Sequence, residues 1–267
     1  MARFTVNFTS HTLMRSVEMT VIIPSITQGE AMDAAGGPPG KTGLTNLTYA
    51  GRGNYPILYL LHGYGGNHTD WTAYSNAQLY ADEHRIAMVM ISAENKCYVN
   101  AYGEDRFADF FSRELPDFVQ HMFPVSKRPE DTYIAGLSMG GYGALLHGMR
   151  EPQKYRAIGA FSAAVVIDPK DHTGQSIADA DLTALLKACR ERGDTLPDIY
   201  LSCGEKDFLF RPNEAFRDTL KKNGATVLWT QVPGYGHEWC FWDKQLESFL
   251  KWLPRTDTYA PQKPQKA

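Results

Sequence analysis

No apolar run in this sequence approaches the roughly 18 residues that a helix needs to cross a bilayer, so no membrane-spanning segment is predicted. Residues Met1 to Asn7 alternate apolar and polar side chains and lack the apolar stretch of a secretory leader. Cysteine pairing signals are missing too. Cys97, Cys189, Cys203 and Cys240 form no C-x-x-C pair and no metal-ligand cluster, which predicts reduced thiols in a cytoplasmic protein and no metal site. Positive charge is not in excess. The 27 Lys and Arg against 30 Asp and Glu leave a net charge of −3, with no electrostatic case for nucleic acid or an anionic membrane as partner. Neither G-x-x-x-x-G-K-S/T nor G-x-G-x-x-G occurs at the first strand–helix junction, so no phosphate cradle is expected there. Internal repeats are absent as well.

What the chain does have is 43% hydrophobic residues, ample for one core within a single domain spanning 1–267. Phe4 to Phe8 and Met14 to Ile23 read as strands. Continuous apolar runs at 57–61, 86–91, 133–137, 157–161 and 199–201 fit strands buried on both faces. A further run covers 226–232. Helical stretches lie between them, at roughly 70–83, 105–121, 139–150, 179–192, 211–223 and 238–253. The last carries Trp242, Leu246, Phe249, Leu250 and Leu253 on one face. Two opening strands followed by strand–helix alternation predict an α/β fold: a mostly parallel sheet, helices on both faces, and an antiparallel edge at its start. Residues 25–54, rich in Gly, Pro, Thr and Ala, read as a long loop, and 254–267 as a polar tail.

Gly136-Leu137-Ser138-Met139-Gly140 follows one apolar run and opens a helical one. This is G-x-S-x-G at a strand-to-helix turn, the setting in which the serine is a nucleophile. Chemistry in such a sheet gathers at the carboxyl ends of strands. The expected chain order is Ser, then Asp or Glu, then His, which limits the search to strand ends downstream of Ser138. Glu205 and Asp207 follow the strand at 199–201. Asp207 is preferred because the adjacent Phe208-Leu209 would bury its carboxylate, and burial suits a group that orients a histidine. Asp198 lies at the wrong end of that strand, and Asp168 and Asp171 read as solvated loop charges. His237 follows the last strand through the turn Pro233-Gly234-Tyr235-Gly236 and is the expected base. His172 sits in a polar loop, and His147 points away from the turn. The glycine-rich Leu61-His62-Gly63-Tyr64-Gly65-Gly66 predicts an oxyanion hole from the N–H groups of Tyr64 and Met139, with His62 as a structural hydrogen-bonding residue.

Tyr59-Leu60-Leu61-His62-Gly63, Ala135 to Gly143, Cys203 to Leu209 and Gly236-His237-Glu238-Trp239 together resemble the tributyrin esterase group of bacterial carboxylesterases. That group belongs to the esterase D and S-formylglutathione hydrolase branch of the α/β-hydrolases, and the match covers most of the chain from residue 55. The resemblance implies an α/β-hydrolase fold and hydrolysis of short-chain acyl esters, with a small-molecule ester as partner and no cofactor. Feruloyl or acetylxylan esterase and S-formylglutathione hydrolase are the alternatives it implies, and a homo-oligomer stays open. Tyr98, Asn100, Tyr102, Phe208 and Trp239 are candidates to line the pocket. The stretch between Phe161 and Ile199 is short, so a minimal cap is expected.

Overall fold

A computed structural model describes residues 1–26, 53–100, 105–167 and 181–261. The expected 25–54 loop falls almost wholly outside these residues, as do Tyr102, Asp168, Asp171, His172, residues 168–180 of the stretch expected to form the cap, and the end of the tail.

Eight strands form one sheet: β1 (Ala2–Ser10), β2 (Arg15–Ile23), β3 (Ile57–Leu61), β4 (Ala87–Ile91), β5 (Thr132–Leu137), β6 (Ala157–Phe161), β7 (Asp198–Gly204) and β8 (Val227–Val232). Their spatial order is β1-β2-β4-β3-β5-β6-β7-β8. Pairing is antiparallel for β1 with β2 and for β2 with β4, and parallel throughout the remainder. The antiparallel edge is therefore where the opening alternation of residues predicts it. Every residue of β3, β4, β5 and β6 is buried, as a strand covered on both faces requires. β8 is different. It reads as the same kind of run but is an edge strand, with its residues half-buried or exposed.

The α-helices among the described residues are α1 (Asp70–Tyr74), α2 (Ala77–Glu83), α3 (Phe107–Asp109), α4 (Leu115–Met122), α5 (Met139–Arg150), α6 (Leu182–Arg192), α7 (Phe210–Lys222) and α8 (Trp239–Trp252). Alternate residues of the central strands feed two cores. Ile57, Tyr59 and Leu61 pack with α5 side chains such as Tyr142 and Leu146, while Leu58 and Leu60 share the other face with Phe241, Phe249 and Leu250 of α8. Two expected helices are subdivided. The 70–83 stretch breaks at Ser75–Asn76, where Asp243 of α8 accepts from both the backbone and the side-chain amide of Asn76. A π-helical turn, Phe110–Glu114, joins α3 to α4. Within it, Glu114 accepts bonds from Ser10, His11 and Thr12 and so ties the segment to the β1–β2 turn. No helix among the described residues is long and apolar enough to cross a membrane.

Candidate active site

Ser138 links the end of β5 to the start of α5 with φ 53° and ψ −117°, a conformation that non-glycine residues adopt only under constraint. The constraint is visible on both sides. A Cβ on Gly136 would lie 2.4 Å from the Gly140 carbonyl oxygen, and one on Gly140 would lie 2.5 Å from the Leu61 oxygen. Side chains at these two positions would push helix and strand apart. The turn is also clamped from β6: Ser138 N–H donates to Phe161 O (2.9 Å), and Ala164 N–H donates to Ser138 O (3.0 Å).

The structure brings Ser138, His237 and Asp207 together from three separate strand ends. His237 Nε2 lies 3.1 Å from Ser138 Oγ, and its Nδ1 lies 2.9 Å from Asp207 Oδ2. The other Asp207 oxygen accepts from Leu209 N–H (2.8 Å), and the carboxylate side chain has no exposed surface. Burial alone would raise its pKa. Hydrogen bonds from His237, Ser162 and the Leu209 amide, with the charge of His237, outweigh that and hold it below the usual carboxylate value. A carboxylate in this state stays ionised and fixes the proton on Nδ1, leaving Nε2 to accept from the serine.

One reason given from the sequence for preferring Asp207 does not hold. The Phe208 side chain is 73% exposed and shields no carboxylate; its ring lies 4.7 Å from that of His237 instead. Chain reversal does the burying, as Asp207 N–H bonds back to Gly204 O and Phe210 N–H to Asp207 O. Glu205 points elsewhere, accepting from Gln231 Nε2 across the sheet edge. Asp198 pairs with Arg156 at the far end of β7 (2.7 Å).

The turn after β3 is built around His62. This residue is buried, and its pKa is lowered by that burial, so the ring is neutral. Nδ1–H donates to Gly63 O (2.7 Å), and Nε2 accepts from Ala93 N–H (2.9 Å), which fixes the tautomer. Tyr98 O–H and Trp71 Nε1–H hold the carbonyls of His62 and Leu61, and Asn95 accepts from Gly65 N–H. In this scaffold no described group accepts from Tyr64 N–H. Met139, as the first residue of α5, has one of the N–H groups that a helix leaves without an internal acceptor. His147 is fully buried on α5, donating to Tyr98 O, with its pKa driven down to about 3.

Several functional neighbours carried no sequence signal. Trp242 meets the His237 ring edge to face and donates to Ser162, and Asn213 donates to Ala163 O and Leu209 O; nothing in the residue types or spacing of these three distinguishes them from core. Of the expected pocket residues, Phe208 and Trp239 flank His237 and Trp242. Tyr98 is buried beneath the His62 turn and so lines no open surface, while Asn100 is exposed and its side chain donates to Asp109. Among the described residues no group of three His, Cys, Asp or Glu is placed to hold a metal ion. All four cysteines are free; Cys203, within β7, has its thiol pushed up to about 12 by burial.

An eight-stranded, mostly parallel sheet with a strained serine at a strand–helix turn and a histidine on its hydroxyl defines a serine hydrolase of the α/β-hydrolase fold. Comparison with known proteins narrows this further. A family profile described as "Putative esterase" matches residues 41–253. The chain belongs to this Esterase family and is a carboxylic ester hydrolase. An acetyl esterase of Caldicellulosiruptor saccharolyticus is 32% identical over 225 residues, 76% of this chain and 84% of that protein. Among solved structures, an S-formylglutathione hydrolase of Staphylococcus aureus superposes with a TM-score of 0.78 at 26% identity, covering 94% of this chain and 98% of that one. The substrate-bound fluorophosphonate-binding serine hydrolase F of the same organism has a TM-score of 0.81 at 24% identity, covering 96% and 99%. These relatives agree with the esterase D and S-formylglutathione hydrolase branch.

Proposed function

We propose that the protein hydrolyses short-chain acyl esters through an acyl-enzyme on Ser138, with His237 as base and Asp207 as its orienting acid. The observation that carries this is the unbroken Ser138–His237–Asp207 hydrogen-bond chain at the carboxyl ends of β5, β8 and β7. His237 Nε2 takes the hydroxyl proton as Oγ attacks the ester carbonyl. The N–H groups of Tyr64 and Met139 stabilise the developing oxyanion, a pair in which each donor contributes about 10²–10³ in rate. The imidazolium then protonates the departing alkoxide, and water, deprotonated by the same nitrogen, releases the acid. The similarity to an acetyl esterase supports a small acyl group. Ser138→Ala should abolish turnover of p-nitrophenyl acetate and labelling by a fluorophosphonate. Retention of either would sink the assignment.

A second reading has its own support. Tyr64 is 68% exposed, and Phe208 and Tyr74 are also exposed, while Tyr74 contacts Trp239. Such an aromatic surround suits a flat aryl acyl group, as in a feruloyl ester. The similarity to an S-formylglutathione hydrolase supports a thioester reading on the same machinery. Ranking acetyl, butyryl, octanoyl, feruloyl and S-formylglutathione substrates by kcat/KM separates the three. We infer a single catalytic domain spanning the chain.

A further inference from the structure

We propose that Asn95 is a positioning residue of the oxyanion hole, its side-chain oxygen locking the turn that aims the Tyr64 N–H. The inference deepens the acyl-transfer reading above and rests on its assignment of the Tyr64 and Met139 N–H groups as oxyanion donors.

The peptides on both sides of Tyr64 are held. Gly63 to Gly66 form a turn closed by Gly66 N–H on Gly63 O (3.2 Å). Gly65 has φ 79°, the positive value that a type II turn needs at its third residue. Gly63 O also accepts from His62 Nδ1–H (2.7 Å), whose ring is held in turn by Ala93 N–H on Nε2 (2.9 Å). In a trans peptide the N–H points opposite to the C=O, so fixing Gly63 O fixes the direction of Tyr64 N–H. The next peptide is anchored by Asn95: Gly65 N–H donates to its Oδ1 (2.7 Å). Without that acceptor the Tyr64–Gly65 peptide can flip toward the commoner type I turn, and Tyr64 loses its single backbone conformation.

Asn95 and Ala93 belong to one loop, residues 92–100 after β4, and that loop also touches the other half of the hole. Tyr98 O–H donates to His62 O (3.0 Å), while Tyr98 O accepts from His147 Nε2–H of α5 (2.9 Å). The Tyr98 ring packs on Gly143 of the same helix, where a Cβ would lie 2.6 Å from Tyr98 Cδ2. α5 begins with Met139, the second donor. One loop therefore sets the spacing of the two donors. Glu94, Cys97 and Tyr98 hold φ of 50°, 51° and 58°, strain that persists only where the surroundings over-determine it. Ion pairs on either side of Asn95 contribute: Glu94 with Arg15 of β2 (2.8 Å), and Lys96 with Asp105 (2.9 Å). Asn95 itself is half-buried, so its side chain can be removed without opening the core.

Asn95→Ala removes the acceptor and leaves the triad alone. On p-nitrophenyl acetate kcat should fall about 10- to 100-fold, since a donor is misaligned and not lost. KM should stay within about twofold, because acylation and deacylation use the same hole. Tm should hold within about 5 °C, and the acid limb of kcat/KM, which reports His237, should not move. Trifluoroacetone isolates the oxyanion. Ser138 Oγ adds to its carbonyl carbon, the hydroxyl proton passes to His237, and the carbonyl oxygen becomes an anion in the hole. Its Ki should rise by about the factor that kcat loses. Asn95→Asp keeps an acceptor within reach of Gly65 N–H, and its charge is screened at a half-exposed site, so kcat should return to within about threefold of wild type. Wild-type kcat in Asn95→Ala would overturn the proposal. So would a slow Asn95→Ala with an unchanged trifluoroacetone Ki, or an Asn95→Asp as slow as Asn95→Ala. Should Asn95→Ala fail to fold, Asn95→Leu, of similar size and without an acceptor, carries the same expectations. An inactive Ser138→Ala beside a normal Asn95→Ala defeats this proposal alone, whereas an active Ser138→Ala defeats the reading beneath it.

Discussion

Asp207→Asn should leave the fold in place and remove nearly all activity, because the surroundings of Asp207 dictate how an amide must sit. One carboxylate oxygen accepts from Leu209 N–H at 2.8 Å, and the other accepts from His237 Nδ1–H at 2.9 Å. An asparagine has one oxygen and one NH2 for these two positions. If the NH2 faced Leu209, two donors would oppose each other in a buried space at a penalty of roughly 1–3 kcal/mol. The oxygen therefore takes Leu209, and the NH2 faces His237. Nδ1 must then accept, which moves the imidazole proton to Nε2, the nitrogen 3.1 Å from Ser138 Oγ. In that tautomer the ring donates to the serine and cannot take its proton. An inverted tautomer of this kind lowers kcat by about 10⁴, or roughly 5 kcal/mol of transition-state stabilisation. The assay is kcat on p-nitrophenyl acetate beside Glu205→Gln, whose carboxylate faces Gln231 and should be dispensable. A loss of less than about tenfold in Asp207→Asn, or a larger loss in Glu205→Gln, would refute the tautomer argument.

Three further outcomes follow from the geometry. Gly136→Ala places a methyl 2.4 Å from the Gly140 oxygen and 2.8 Å from Leu61 Cβ, and should destabilise by about 3 kcal/mol in urea unfolding, with activity falling in step; an unchanged midpoint would mean that the elbow is looser than described. His147 has a folded pKa of about 3 against an ordinary 6.5, so below about pH 6.5 the unfolded chain binds a proton that the native state refuses. Its contribution is complete above that pH and is lost as pH falls toward 3, by up to about 1.4 kcal/mol per unit. His147→Gln should flatten the decline in stability between pH 6 and 4, and an unchanged slope would remove His147 as its source. Phe208→Ala deletes an exposed ring beside His237; Tm should hold, and KM should rise for a feruloyl ester more than for an acetyl ester, whereas equal KM changes would argue against an aryl-binding role.

The strands and the elbow were legible in the sequence because their causes are local. A strand buried on both faces must be apolar throughout, as Ile57–Leu61 and Thr132–Leu137 nearly are, and a strand-to-helix turn as tight as that at Ser138 excludes side chains at Gly136 and Gly140. His237 was legible for a related reason: a glycine-flanked turn after a strand delivers the next residue to the sheet's carboxyl edge. What was not legible depends on partners distant in sequence. The break between α1 and α2 rests on Asp243, 167 residues from Asn76. The half-exposed surface of β8 follows from its place at the sheet edge, which its composition does not encode. Phe208 is an instructive miss. Sequence adjacency suggested that it covers Asp207, yet consecutive residues in a tight turn point apart, and the ring went to His237.

Two serines in this site hold backbone conformations that serine normally avoids, and their strain has one origin. Ser138 and Ser162 both have positive φ, at 53° and 46°, and each ends or follows a parallel strand adjacent to the other's. A chain leaving β5 for α5 must turn sharply to aim Oγ outward, and the chain leaving β6 must turn away in time to avoid that helix. Ala163 lies against the turn: a Cβ on Gly141 would meet its Cα at 3.0 Å. Hydrogen bonds exchanged between the two turns then let each constrain the other, since Phe161 O takes the N–H of Ser138 and Ala164 returns its own to Ser138 O. Strain of about 1–3 kcal/mol at each residue persists only where surrounding structure over-determines it. Here the over-determination comes from the neighbouring strand, so the geometry of the nucleophile depends as much on the turn after β6 as on its own pentapeptide.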